Sequence, residues 1–531
     1  MLEMHAGLYT LLKEFDDICK RNEITYYLEG GSLLGAVRHK GFLPWDDDVD
    51  LCITRDNFKK LLSVIDRELP ADRELYCYER FPNYLRDTVK YTNLSTTVIF
   101  RNHILDGNAC GQHIDLFILD PVPSDPVAQE EYKVLATIYS ELMMPVYIMC
   151  EDIADYLKEY EQYQALIQEK GRDYVLDMLR EKLFSYEDSE ECDTYCLRWG
   201  NRHSFYPKAF FGTPVALPFE DRFFPGPEQY FRFLRAEFGD TWMMVPEEAA
   251  QEDHSTFDNY HVPCATFMAD YSPYIDFSKA YVQFEQRKAH SLKSLPLRRE
   301  VQRDKAALSK TLFDLTLQHL TSELSEEGQL MLEEHRYSAL AERFAPYYAA
   351  QSSPDIKRNG VALAVSEPVL YAATLSLIMV GRYWEGELLL RVNRDTPDCD
   401  TPRIRQLSQL IADLRAGNLA AEEGRLDDVA AVVEQWLPLF PDQLDLSVFR
   451  LTRQMQEGAA PEELEKEAER LLSLYPESDR LLKLLGDLSS RSKNTVCAAE
   501  WYTKCVQSTR NGLFLMELAD YLPSPEEPEQ P

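Results

Sequence analysis

The segment DDDVDLCI (46–53) combines closely spaced acids with apolar residues. Side chains alternate between the two faces of a strand, so Asp46, Asp48 and Asp50 are predicted to point one way and the apolar residues into the core. Carboxylates crowded on one face repel each other unless a divalent cation neutralises them. The pattern predicts a Mg²⁺ or Mn²⁺ site. A solvated acidic loop is the alternative, and the apolar residues argue against it.

A further acid, Asp115, lies inside the apolar run QHIDLFIL (112–119). An aspartate among such residues is costly unless it is paired or bound to a metal ion. We predict that Asp115 completes the metal site and also acts as a base towards an acceptor hydroxyl. The alternative is an edge-strand aspartate that faces water. The neighbouring His113 is expected on the opposite side of its strand.

A glycine turn precedes the acidic segment. The β-rich run ITYYLE (24–29) is followed by Gly30, Gly31 and Ser32, and Ser32 is predicted to cap a short helix, LLGAVR. Free amides at a helix N-terminus hold phosphate oxygens, so Gly31 and Ser32 are predicted to contact a donor's phosphates.

Three cations are candidates for contacts with the same phosphates. Arg38 and Lys40 lie between the glycine turn and the acidic segment, and Lys90 lies in the strand-like run RDTVKYTNLSTT (86–97). Ordinary surface charge is the alternative for Arg38 and Lys40, and a solvated strand lysine is the alternative for Lys90.

The order of these parts matches the nucleotidyltransferase fold pattern. The amino-acid sequence of these segments resembles that of the LicD family, which includes bacterial phosphocholine transferases and fukutin-type sugar-phosphate transferases. The segments that carry the resemblance lie within about residues 1–260: YYLEGGSLLGAVRHKGFLPWDDDVDL (26–51), IDLFILDPVP (114–123) and LPFEDRFFPGPEQYFRFLRAEFGDTWMMVP (217–246).

The resemblance implies transfer of phosphocholine, or a related alcohol or polyol phosphate, from a CDP-linked donor. The acceptor would be a hydroxyl of a cell-surface glycan of the lipopolysaccharide, teichoic acid or capsule type, and CMP would be released. By motif position, Asp48 and Asp50 are the metal pair, Asp115 is the third acid, and Asp46 and Asp47 are auxiliary ligands.

The 531 residues are too many for one core, so several domains are expected. In the C-terminal half, Pro441 and Pro476 each close an amphipathic helix 35 positions apart, a spacing typical of tetratricopeptide-like repeats. The predicted fold is therefore an α/β nucleotidyltransferase-like domain with a mixed sheet, followed by an all-α solenoid. The predicted boundaries are 1–290 for the catalytic domain, 291–310 for a basic linker, 311–522 for the repeats and 523–531 for a disordered tail.

Composition narrows the classes of partner and location. A formal net charge of −34 repels polyanions, so nucleic-acid binding is not expected. The sequence has neither a long apolar run nor the pattern of a secretory signal, and its 11 scattered cysteines fit reduced thiols. We expect a cytoplasmic protein with at most peripheral contact at the inner membrane surface.

Two alternatives remain open at this stage. The same fold and the same acids would serve nucleotidyl transfer, in which NMP moves from an NTP to a small molecule or protein. The repeats would also suit a protein-binding scaffold with a vestigial enzyme domain.

Overall fold

The computed structural model describes residues 3–84, 86–100, 111–144, 151–186, 191–199, 202–246, 255–274, 276–324, 327–352, 356, 363, 365–396 and 398–521. Two compact units divide the chain. The first comprises Met1–Trp242 and Pro246–Pro296, and the second comprises Met243–Val245 and Leu297–Pro531. Among the described residues, no helix is both long and apolar enough to cross a membrane.

The described strands of the first unit are β1 (Tyr27–Leu28), β2 (Asp50–Thr54), β3 (Arg73–Tyr76), β4 (Val89–Asn93), β5 (Thr97–Phe100), β6 (Gln112–Val122), β7 (Thr194–Trp199), β8 (Arg202–Pro207), β9 (Val215–Phe219), β10 (Arg222–Gly226) and β11 (Ser255–Asn259). Seven of them form a mixed sheet with the strand order β1-β2-β6-β4-β3, which β7 and β8 extend from the distal half of β6. Strands β2 and β6 run parallel, whereas the other pairs in this sheet are antiparallel. Strands β9 and β10 form one two-stranded sheet, and β5 and β11 form another.

Helices cover this sheet for reasons that are visible in the sequence. Apolar residues at helical spacing bury one face of α1, and the Thr54 side chain accepts a hydrogen bond from the Asn57 amide to cap α3. The helices of the unit are α1 (Glu3–Arg21), α2 (Gly30–Arg38), α3 (Arg55–Glu68), α4 (Pro126–Met143), α5 (Leu157–Lys170), α6 (Arg172–Leu183), α7 (Tyr230–Phe238) and α8 (Cys264–Tyr271).

A long helix, α9 (Phe277–Leu324), contains the division between the two units. Pro296 lies inside this helix. The segment assigned from sequence as a basic linker, 291–310, is therefore helical.

The described part of the second unit beyond α9 is helical, which confirms the predicted order of an α/β region followed by an all-helical region. Successive helices bury Leu, Ile and Ala side chains against each other. The predicted tail lies outside the described residues, and the tetratricopeptide-like repeat remains a prediction. The helices are α10 (Glu327–Glu333), α11 (Tyr337–Ser352), α12 (Glu367–Met379), α13 (Tyr383–Val392), α14 (Pro402–Glu422), α15 (Leu426–Trp436), α16 (Leu444–Gln456), α17 (Pro461–Leu474), α18 (Asp479–Arg491), α19 (Thr495–Ser508) and α20 (Gly512–Glu517).

Candidate active site

Two aspartates stand side by side where β2 and β6 pair in parallel. Asp50 lies opposite Asp115, and this is the first residue pair in the register of the two strands. The Asp115 amide donates to the Val49 carbonyl at 2.9 Å, and the Glu29 amide donates to the Asp50 carbonyl at 3.0 Å. Two acids far apart in the sequence are thus neighbours on adjacent strands.

The three preceding aspartates lie in a loop. Strand β2 begins only at Asp50, so the prediction that alternation along one strand aligns Asp46 and Asp48 with Asp50 is wrong. One carboxylate oxygen from each of Asp46, Asp47 and Asp48 nevertheless lies within 4.8 Å of the other two. The loop brings these carboxylates together without the strand geometry expected from the sequence.

Helix α2 begins immediately beside these acids. Gly30 has a φ of +50°, and a Cβ there would lie 3.1 Å from Asp50 Oδ2. A Cβ at Gly31 would clash with the Asp46 carboxylate. Only glycine permits this close approach of the helix to the acids.

Ser32 has a different role from the predicted one. Glu29 occupies the N-cap position, so Ser32 lies within the first turn of α2 and does not cap it. Its Oγ instead accepts a hydrogen bond from the Asp50 amide at 2.9 Å. The serine therefore fixes the start of β2 against the helix.

The electrostatics of the site favour a bound cation. Burial raises the pKa of Asp50 well above its ordinary value, and the charges of Asp48, Glu29, Asp115 and Asp46 raise it further. A divalent cation would remove this repulsion, and an all-carboxylate set of donors suits Mg²⁺ or Mn²⁺. The residues present therefore fit the predicted metal.

Lys90 is a buried partner of Asp115, which overturns the picture of a solvated strand lysine. Its Nζ lies 3.1 Å from Asp115 Oδ1 and also contacts His113 Nε2. His113 is buried on the same side as Asp115, with 3.8 Å between Nε2 and Oδ2, so the prediction that it faces the other way is wrong. Residues two apart on a strand share a face, and the two side chains follow that rule.

The protonation states in this group follow from its geometry. His113 Nδ1 lies 2.8 Å from the Gly111 carbonyl, which leaves Nε2 to accept from the Lys90 ammonium. Burial and the charge of Lys90 lower the pKa of His113 to about 4. Burial alone would raise the pKa of Asp115, but Lys90 and His113 hold it below its ordinary value. Asp115 is thus ionised at neutral pH.

The two remaining candidate cations contact main-chain carbonyls. The buried Arg38 guanidinium donates to the Trp242 carbonyl at 2.9 Å and lies over the Trp45 ring, and burial lowers its pKa to about 10. Lys40 Nζ donates to the Val37 carbonyl at 2.8 Å, near the C-terminus of α2. Neither of these contacts involves the acidic cluster, and their predicted phosphate contacts remain predictions.

Sequence reasoning missed three residues beside the site. Glu29 and Glu237 are hydrogen-bonded to each other; burial and Glu237 raise the pKa of Glu29, and burial raises that of Glu237 to about 7. His5 stacks on Phe42, and its Nε2 lies 2.8 Å from the Asp46 carbonyl. The position of Glu29 next to the glycine turn was a usable signal. The contacts of Glu237 and His5 span long stretches of chain that carry no such signal.

Comparison with known proteins agrees with this geometry. The family described as "LicD/FKTN/FKRP, nucleotidyltransferase domain" matches residues 23–106, which include the glycine turn, the acidic loop and Lys90. The N-terminal unit carries a LicD-family domain. The family recognised from the sequence motifs is thereby confirmed for this part of the chain.

Individual relatives match stretches of the chain of different lengths. The Haemophilus influenzae "Lipopolysaccharide cholinephosphotransferase LicD" is 28% identical over 269 residues, which are 49% of this chain and 97% of that protein. "Uncharacterized protein RP689" of Rickettsia prowazekii is 38% identical over 85 residues, 15% of this chain and 30% of that protein. The mouse "Ribitol 5-phosphate transferase FKRP" is 67% identical over 30 residues, 6% of each chain. These relationships support an enzyme of the phosphotransferase class that acts on a glycan.

Proposed function

We propose that the protein transfers phosphocholine, or a related alcohol or polyol phosphate, from a CDP-linked donor to a glycan hydroxyl and releases CMP. The observation that carries the proposal is the pairing of Asp50 with Asp115 beside the Asp46–Asp48 loop and the first turn of α2. The printed names of two LicD-type relatives, a cholinephosphotransferase and a ribitol 5-phosphate transferase, support the class of transferred group.

The chain's own residues would divide the work by position. The amides of Gly31 and Ser32, in the first turn of α2, would bind oxygens of the donor diphosphate. Asp48 and Asp50 would hold the cation, with Asp46 as an auxiliary ligand. A bound Mg²⁺ or Mn²⁺ would supply positive charge to the diphosphate as negative charge builds on the departing CMP.

Asp115 would face the acceptor. Because the Lys90 ammonium keeps it ionised, its carboxylate is ready to ligate the cation or to accept the proton of the attacking hydroxyl. The hydroxyl oxygen forms a bond to the donor's phosphorus as the bond to CMP breaks, and alignment of the two groups supplies much of the rate. Lys90, 3.1 Å from Asp115 Oδ1, would balance the charge of the third acid and would contact a donor phosphate bound beside it.

A donor screen tests the proposal. Purified protein would be incubated with a lipopolysaccharide, capsule or teichoic-acid acceptor, one of CDP-choline, CDP-ethanolamine, CDP-glycerol or CDP-ribitol, and Mg²⁺ or Mn²⁺, with acceptor-dependent CMP release as the readout. We expect metal-dependent CMP release from one donor, its loss in Asp50→Asn and its retention in Asp56→Asn. Asp56 is an exposed aspartate of α3 and a matched control. Equal CMP release by wild type and Asp50→Asn would contradict the assignment.

Nucleotidyl transfer is the second candidate, because the description of the matching family names a nucleotidyltransferase domain. This reaction would use the same acids, but the acceptor would attack the α-phosphorus of an NTP. Pyrophosphate release from an NTP, with no CMP release from any CDP donor, would favour this candidate. A scaffold with a vestigial enzyme domain is less well supported, because the acids expected for chemistry are in place.

A further inference from the structure

A row of aromatic rings lies on the surface of the first unit, outside the acidic cluster. Phe257 stacks on Phe267 with 5.0 Å between ring centroids, and Phe267 stacks on Tyr271 at 4.3 Å with the planes 20° apart. Phe257, Tyr271 and Tyr274 are 40%, 51% and 87% exposed. We call the three stacked residues, together with Tyr274 three positions after Tyr271, the aromatic platform. An exposed apolar patch of a few hundred Å² on a monomer is often functional.

Local structure explains how the platform forms. Phe267 and Tyr271 are four residues apart on α8 and therefore share a face of that helix. The inner side of α8 is anchored by Cys264, which packs with Ile99 of β5, and Phe257 reaches the stack from β11. Tyr274 follows in the short 3-10 turn Ser272–Tyr274. Two elements fixed to the domain thus present the rings outward.

The turn that connects β11 to α8 contacts both β5 and α1, and α1 in turn contacts the acidic loop. Asn259 of β11 pairs with Thr97 of β5, and the Thr97 hydroxyl donates to the Val262 carbonyl at 2.7 Å. In the turn between β11 and α8, His261 Nε2 lies 3.1 Å from Glu3 Oε1 on α1. His5, two residues further along α1, contacts the Asp46 carbonyl. These contacts place the turn between β11 and α8 near the acidic loop, with the N-terminal turn of α1 between them.

The chemistry of the platform selects one class of occupant. Because Phe257, Phe267 and Tyr271 stack face to face, they offer their ring edges and the outer faces of the two end rings, Phe257 and Tyr271, and do not form the aromatic walls that enclose a quaternary ammonium group. Asp258 and Asp270 are exposed beside the rings, and their charge disfavours an anionic membrane or polymer backbone. A sugar ring offers an apolar C–H face to such a surface and hydroxyl groups that carboxylates can accept from.

Size argues against a second copy of the chain as the occupant. At the exposures given above, the three exposed rings offer roughly 350 Å². A standard interface buries about 800 Å² on each partner. The platform is of the size for a few sugar units.

We propose that the aromatic platform is the acceptor subsite, where sugar rings of the glycan stack beside the acids that perform the transfer. This inference rests on the proposed function for the identity of the acceptor. The binding itself requires neither donor nor turnover, so it can be tested separately.

The test is donor-free binding to a printed array of lipopolysaccharide-core, capsule and teichoic-acid oligosaccharides. We expect the wild type to bind at least one glycan, and the double variant Tyr271→Ala/Tyr274→Ala to bind it at least tenfold more weakly. Tyr174→Ala removes a comparably exposed tyrosine, on α6, and should bind as the wild type does. The aromatic-conserving Tyr271→Phe/Tyr274→Phe should retain most of the binding.

Several outcomes would overturn the proposal. They are binding to no glycan, equal binding by wild type and the double alanine variant, displacement of the glycan by free phosphocholine, or a wild-type dimer in sedimentation that the double variant lacks. Asp50→Asn should still bind the glycan. If Asp50→Asn binds glycan but no CDP donor yields CMP with the wild type, the proposed function fails while the platform stands.

Discussion

The strand pair β2–β6 has half-buried acids at its start and a fully buried acid just past its other end, and their electrostatic surroundings differ. At the start of the pair, Asp50 faces Asp115, with the Asp46–Asp48 loop close by. Just past the other end, Asp120 accepts hydrogen bonds from Arg55 Nε at 2.6 Å and Nη2 at 3.0 Å, and Arg198 Nη2 lies 2.6 Å from Asp120 Oδ2.

Asp50 and Asp120 differ mainly in whether positively charged side chains neutralise the carboxylate. Burial and neighbouring carboxylates raise the pKa of Asp50, whereas Arg198 and Arg55 outweigh burial and lower the pKa of Asp120. Arg55 and Arg198 neutralise the Asp120 carboxylate, so this end of the strand pair needs no added cation. Asp50 is repelled by its acidic neighbours, and we propose that an added cation stabilises it. Asp115 in the same group already has Lys90 as a partner, so Asp50 is the acid whose uncompensated charge marks the candidate site.

The largest expected effect separates the two ends by activity. Asp50→Asn removes a charge from the repelling cluster, so CMP release should fall by about 10³-fold or more. The melting temperature without metal should be unchanged or higher, because repulsion has been relieved. Steady-state CMP release and differential scanning fluorimetry check the two halves of this prediction. A variant that loses activity by unfolding would not support it.

The converse substitution should act on stability. Asp120→Asn removes the negative charge and one of the two acceptor oxygens that the buried Arg55 and Arg198 share, and we expect a loss of about 3–5 kcal/mol in the free energy of unfolding. Urea titration measures the loss, with the exposed Asp56→Asn as a control expected to change stability by less than about 0.5 kcal/mol. The folded variant should bind Mn²⁺ as the wild type does. Weakened Mn²⁺ binding would place Asp120 in the site and break the contrast.

The carboxyl pair beside the site predicts a pH dependence. Glu29 and Glu237 have raised pKa values when folded, so the folded state binds protons that the unfolded state releases. Their contribution to stability is full below about pH 4.5 and is lost as pH rises through about 7. Glu237→Gln keeps the hydrogen bond without the titration, and should be more stable than wild type by about 1–3 kcal/mol at pH 8.

Melting temperatures between pH 5 and pH 8, measured in chelator to remove metal effects, test this prediction. The decline with rising pH should be steeper for wild type than for Glu237→Gln. Parallel curves for the two proteins would show that the carboxyl pair does not titrate as described.

The smallest expected effect concerns the serine that joins α2 to β2. Ser32→Ala leaves the Asp50 amide without its acceptor, so stability should fall by about 1 kcal/mol. CMP release should fall modestly, because Asp50 is held less firmly. Ser63→Ala, at an exposed helical serine, is the matched control. Identical behaviour of the two variants would leave Ser32 without a positioning role.

Much of this arrangement was predictable from sequence because it depends on local pattern. The glycine turn and the apolar run around Asp115 indicated a helix start and a strand, and the structure has both. The prediction of a strand at Asp46–Asp48 is wrong because the alternation of apolar residues begins only at Val49. The acids before Val49 lie in a loop.

The rest of the site depends on contacts between distant segments. Nothing near Lys90 in the sequence indicates that β4 pairs with β6 in the register that sets it opposite Asp115. The same limit applies to Asp120, which reads like Asp115 in the sequence until Arg55 and Arg198 are seen beside it. Whether a basic side chain neutralises a given acid depends on which strands pair and in which register, and the sequence of one strand does not show this.

The most direct test of the central claim is anomalous diffraction from crystals grown with Mn²⁺. We predict a single strong peak bounded by carboxylate oxygens of Asp48, Asp50 and Asp115, absent in Asp50→Asn and retained in Asp120→Asn. A wild-type map with no peak among these acids, or with the ion bound elsewhere, would contradict the account.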